Sequence, residues 1–146
     1  MTGAPGPFLS LEQLSALRRA ATRDGLRLSW ACGCFDLPRP GHVACLRHAR
    51  ILGHRLVVGL LPDDTARGLL GPGRPFLGFM EQAEVMSAFA CVDWLALCAA
   101  GDPVPCLRAL APDYWVVCEA EGFLPPPAEA LSALEAGGGT IHHYPS

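Results

Sequence analysis

The feature that most constrains this chain is an alternation. Five short apolar runs are separated by segments of helical period. The runs are Leu28–Cys34, Arg55–Leu61, Val92–Cys98, Tyr114–Cys118 and Thr140–Tyr144, and their length and flanking turn residues predict strands. Between them, Ser10 and Gln13 have the spacing of a capping box. Leu11, Leu14, Leu17 and Ala21 then give a helix one apolar face, with Gly25 at its end. Helices are also predicted over His42–Leu52, Phe79–Ala90, Pro103–Leu110 and Pro127–Ala136. Pro62-Asp63-Asp64 ends the second strand, and Gly68–Gly78, dominated by Gly and Pro, reads as a loop. Parallel strands need crossover connections, and helices of this length supply them. The chain therefore reads as an α/β protein, a Rossmann-like, doubly wound, parallel five-stranded sheet in one domain. That domain spans residues 10–146 after a flexible start over 1–9.

Composition narrows the function classes. Hydrophobic residues make up 51% and charged residues 17%, which suits a packed domain and excludes a disordered tail. The net charge is -3 with no basic tract, so a nucleic-acid backbone is not the expected partner. All 11 cations are Arg, which excludes any mechanism built on a Lys amine. No apolar run approaches the ~20 residues of a membrane span. Met1–Pro7 lacks the pattern of a secretory signal, so a cytoplasmic protein is expected. The 7 Cys are an odd number, mostly inside apolar runs, and are expected to be free thiols. Cys32, Cys34, His42, Cys45 and His48 contain no Cys-x-x-Cys pair, so no metal site is assigned.

In a doubly wound sheet, ligands bind beyond the carboxyl ends of the strands. The first such end is Gly33-Cys-Phe-Asp-Leu-Pro-Arg-Pro-Gly-His42, a strand, a sharp turn and a helix start. Backbone N–H groups and the helix dipole there suit a phosphate. Gly41 permits close approach, His42 offers a hydrogen bond, and Arg39 adds a planar cationic fork. The same residues also fit a structural turn with a surface Arg and a helix-capping His.

This stretch resembles the signature of the cytidylyltransferase-like nucleotidyltransferases. The resemblance extends over Arg50-Ile-Leu-Gly-His-Arg-Leu-Val-Val-Gly-Leu-Leu-Pro-Asp63, Gly71-Pro-Gly-Arg-Pro75, Glu81-Gln82, Cys91-Val-Asp-Trp94 and Leu110-Ala-Pro-Asp113. It implies transfer of CMP or AMP from CTP or ATP, with Mg²⁺, to a phosphorylated or unusual small-molecule acceptor, with release of pyrophosphate. It further implies a homodimer. By resemblance, Gly33, Cys34, Phe35, Asp36 and Gly41 bind the nucleotide, with Asp63 and Arg74 bordering the site. His42 matches the second His of the family's His-x-Gly-His and, with Arg39, is the expected catalytic pair. Three departures stand out: Arg39 replaces the first His, Ala83 an Arg, and Cys118-Glu-Ala-Glu121 the family's Lys-Gly-Gly-Asp. A Ser/Thr-rich segment has no counterpart before Ser146. Cys118, Glu119 and Glu121 thereby become candidates to face the acceptor. The alternative is a member that binds a nucleotide or a protein partner without catalysis.

Overall fold

Capping chemistry sets the first element. In a computed structural model, which describes residues 8–36 and 38–145, helix α1 runs Leu11–Asp24. The Ser10 side chain accepts the Gln13 N–H at 3.1 Å, and Gln13 Oε1 accepts the Ser10 N–H at 2.8 Å. Most of the expected flexible start, residues 1–7, lies outside the described residues. Leu9 donates its N–H to the Leu95 carbonyl at 2.8 Å, so the chain enters along the sheet edge.

The remaining elements are β1 (Leu28–Gly33), α2 (Pro40–Leu52), β2 (Arg55–Leu60), α3 (Asp63–Leu70), α4 (Phe79–Ser87) and β3 (Trp94–Leu97). They continue with α5 (Val104–Leu110), β4 (Tyr114–Cys118), α6 (Ala128–Ala136) and β5 (Thr140–Tyr144). The five strands are all parallel, in the order β3-β2-β1-β4-β5. The doubly wound sheet is thus present. One local expectation fails: residues 68–70 belong to a helix, and the loop begins only at Gly71. Asp63 and Asp64 in the first turn complement the helix dipole, and Ala66 anchors the buried face.

Alternation along β1 sorts the core onto the two faces of the sheet. Leu28, Trp30 and Cys32 pack with Leu14 of α1, Leu107 of α5 and Leu134 of α6. Ala31 packs on the other side with Cys45, Leu46 and Ala49 of α2 and Met86 of α4. All of these are essentially buried. Among the described residues no helix is long and apolar enough to cross a membrane.

Gly59 in β2 is fixed by the indole above it. A Cβ there would sit 2.5 Å from Trp30 Cη2 and 2.8 Å from Cys98 Sγ. Gly59→Ala is expected to cost about 2–3 kcal/mol through overpacking. Urea denaturation should show a lower midpoint at unchanged slope.

Candidate active site

The order β3-β2-β1-β4-β5 places the topological switch between β1 and β4. The residues beyond the carboxyl ends of these two strands form a connected polar network. Its hub is Asp36, 2% exposed. Asp36 Oδ2 accepts from Arg74 Nε at 2.7 Å and from the Phe76 N–H at 2.7 Å. Oδ1 accepts the Leu77 N–H at 2.6 Å. Burial alone would raise the Asp36 pKa. The Leu77 N–H, the Arg74 guanidinium and the Phe76 N–H outweigh it and hold the carboxyl below its ordinary value. The first strand end therefore ties down the Gly/Pro loop and delivers Arg74 to the site. The Arg74 guanidinium also lies 4.8 Å from the centre of the Phe76 ring.

Gln82 of α4 braces the same turn from below. It is fully buried. Its Oε1 accepts the Phe35 N–H at 3.1 Å and the Cys34 thiol at 3.4 Å, while its Nε2 donates to the Leu77 carbonyl at 2.8 Å. Burial pushes the Cys34 thiol up to about 11, so it stays protonated at neutral pH. Cys34 and Phe35 shape the turn by packing; neither presents a reactive group.

At the start of α2, His42 occupies the third helical position. Its Nδ1 accepts the Arg39 N–H at 3.0 Å, the reach-back half of a capping box. Nδ1 is therefore unprotonated, and the ring hydrogen sits on Nε2, which donates to the Glu121 carbonyl at 2.6 Å. Phe123 stacks on the imidazole at 5.7 Å between centroids, and Phe35 meets Phe123 edge-on at 5.1 Å. These two rings fix the plane of His42. Space beside Gly41 is open among the described residues: a Cβ there would meet nothing within 4 Å.

The connection after β4 folds back over the end of β1. The Cys34 N–H donates to the Gly122 carbonyl at 2.8 Å, and the Leu124 N–H to the Cys32 carbonyl at 2.9 Å. This contact demands two glycines. A Cβ on Gly33 would lie 2.3 Å from the Gly122 oxygen, and one on Gly122, at φ 100°, would lie 2.2 Å from the Cys34 oxygen. Glu121 Oε1 then stands 3.2 Å from Arg74 Nη2 and 3.7 Å from Arg39 Nη2.

Cys118 ends β4 and forms a disulfide with Cys45 of α2, with Cα atoms 6.4 Å apart, inside the range such a bond requires. This corrects the expectation of free thiols throughout, and it removes Cys118 as a thiol facing the acceptor. The other five Cys are free. Alkylation of the denatured, unreduced protein is expected to modify 5 thiols, and 7 after reduction, as read by mass spectrometry.

The structure thus gathers Gly33, Cys34, Phe35, Asp36, Arg39, Gly41, His42, Arg74 and Glu121 around one strand end. Glu119 is exposed beside it. Asp63 starts α3, next to Gly78, and its Oδ1 is buried with no donor among the described residues. Sequence reasoning passed over Gln82 and Phe123 as site residues. Gln82 was visible only as part of a matching segment. For Phe123 the signal was an aromatic residue within a Gly/Pro-rich turn.

Comparison with known proteins gives the same assignment. The model of the cytidylyltransferase-like family matches residues 30–122. The bifunctional protein HldE of Azorhizobium caulinodans is 36% identical over 137 residues, covering 94% of this chain and 28% of that protein. The chain spans under a third of the length of the curated relatives it matches. A lipopolysaccharide core biosynthesis protein from Thermoplasma volcanium superposes with a TM-score of 0.65 at 27% identity, over 83% of this chain and 96% of that one. Pantoate-beta-alanine ligase from Francisella tularensis reaches a TM-score of 0.58 at 9% identity, over 97% of this chain and 67% of that one, a likeness of fold alone. With the family model spanning the strand end, the helix start and the returning loop, the chain belongs to the cytidylyltransferase-like family.

Proposed function

We propose that this domain is a nucleotidyltransferase that moves CMP or AMP from CTP or ATP onto a small, phosphorylated acceptor and releases pyrophosphate. The observation that carries this reading is the convergence of Arg39, Arg74 and the His42 Nε2–H at the start of α2, beyond the end of β1. Two guanidinium forks and an imidazole donor suit the oxygens of a triphosphate, and the open backbone at Gly41 admits them. In the reaction an acceptor oxygen attacks the α-phosphorus, forming the new P–O bond. The bridge from the α- to the β-phosphate breaks, and pyrophosphate carries away the electron pair. Positioning and charge stabilisation supply most of the catalysis in such transfers. Arg39 and Arg74 neutralise the departing charge, and His42 donates to an oxygen that grows more negative.

Mg²⁺ enters this scheme with the nucleotide, as part of the substrate. Among the described residues no three His, Cys, Asp or Glu side chains group to hold a metal ion, and Asp36 is committed to Arg74, Phe76 and Leu77. In such sites this ion is usually held by substrate phosphates, water and one or two carboxylates. A homodimer and a cytoplasmic setting belong to the same proposal.

The test is pyrophosphate release from CTP and from ATP across a panel of sugar phosphates and polyol phosphates. Release that depends on one acceptor is the expected result. A second reading, nucleotide binding without turnover, is favoured by the coverage of the Cys34 N–H by Gly122. Calorimetric binding of a nucleotide with no pyrophosphate formed for any acceptor would establish that alternative.

A further inference from the structure

Four donors at this strand end meet oxygens from a single loop. The His42 Nε2–H is taken by the Glu121 carbonyl at 2.6 Å, and the Cys34 N–H by the Gly122 carbonyl at 2.8 Å. Arg74 Nη2 and Arg39 Nη2 face Glu121 Oε1 at 3.2 and 3.7 Å. A carboxylate between two guanidinium groups, with a carbonyl oxygen on an adjacent imidazole, reproduces the donor demands of a phosphate. We propose that Glu121 is an internal stand-in for substrate phosphate, marking a polyphosphate subsite between Arg39 and Arg74 from which it must withdraw when the ligand binds. The proposal rests on the reading of this site as a triphosphate site.

Charge and packing both fit an exchangeable occupant. Asp36, Glu121, Arg39 and Arg74 sum to zero, so the closed arrangement is balanced and adding a polyphosphate to it would leave excess negative charge. Removal of the Glu121 carboxylate from the guanidinium groups restores a doubly cationic receptor. The side chain of Glu121 is 48% exposed, whereas that of Arg74 is 16% exposed and held by Asp36. Arg74 is therefore the fixed half of the receptor, while Glu121 and the 62% exposed Arg39 are the movable groups. Freeing the His42 Nε2–H is a separate step, since its acceptor is the Glu121 backbone carbonyl and not the carboxylate.

The experiment is calorimetric titration with inorganic pyrophosphate of the wild type, Glu121→Gln and Glu121→Ala, with circular dichroism as the check on folding. Two variants guard against the misfolding of either. Loss of the competing carboxylate is expected to tighten pyrophosphate binding about fivefold, the scale of a partly exposed ion pair. Glu121→Asp, which restores the charge, should bind like the wild type. Equal or weaker pyrophosphate binding by both folded variants would overturn the proposal. The outcome also separates this inference from the transferase reading. Tighter pyrophosphate binding by the variants without pyrophosphate release from CTP or ATP would support the subsite and count against the transferase. Release by the wild type, with pyrophosphate affinity unmoved by the variants, would leave the transferase standing and remove the stand-in.

Discussion

Replacing Asp36 by Asn is expected to destabilise the fold by about 3 kcal/mol at neutral pH, since a buried acceptor of charge-assisted bonds is lost. The substitution keeps the shape of the side chain but puts an NH₂ group where only acceptors fit. Three donors converge on that carboxylate, from Arg74, Phe76 and Leu77. An amide can satisfy at most two of them without meeting a donor head-on. The pH dependence gives a second readout. The folded-state pKa of Asp36 lies below its ordinary value of 3.8, so its stabilising contribution is complete above that value. It is lost as the pH falls toward and through the folded-state value, where the native carboxylate takes up its proton. Urea unfolding followed from pH 6 downward should therefore show that the gap between wild type and Asp36→Asn narrows in acid. A constant gap would show that the loss arises from packing and not from the charge.

Replacing His42 by Ala is expected to slow nucleotidyl transfer by at least about 100-fold, the usual result of deleting one donor to a developing charge. The same imidazole caps α2 through Nδ1, so some stability is lost as well, about 1 kcal/mol. The two roles separate on His42→Gln. A glutamine at this position can accept the Arg39 N–H as a capping-box residue does, which should restore stability while transfer remains slow. Single-turnover rates beside denaturation midpoints make the distinction. Recovery of both by His42→Gln would assign the imidazole to capping alone.

Much of the fold was legible because its signals are local. Ser10 and Gln13 sit three residues apart, and their reciprocal bonds form where their spacing puts them. The buried strands were legible because parallel strands covered on both faces read as continuous apolar runs, as in Leu28–Gly33. Helix α3 was hidden by the glycines and prolines just after it, which dominate any reading of that window. Its two leading aspartates were the better guide. At the site, Gly33 to Asp36 and His42 stood out because strand end and helix start are contiguous in the chain. The cover did not, since Gly122 and Phe123 reach β1 from the far half of the sequence. Nor did the Cys45–Cys118 bond, which joins residues 73 positions apart. Gln82 was obscured for another reason. A glutamine in an amphipathic helix ordinarily points to water, and only the tertiary fold shows it buried beneath Phe35 and Leu77.

A crystal structure with CTP or ATP soaked or co-crystallised in the presence of Mg²⁺ tests the central claim most directly. The account predicts triphosphate density beyond the end of β1, with oxygens on Arg39, Arg74 and His42 Nε2 and with Glu121 drawn aside. Nucleotide bound elsewhere on the molecule, with Glu121 still seated between the two arginines, would contradict it.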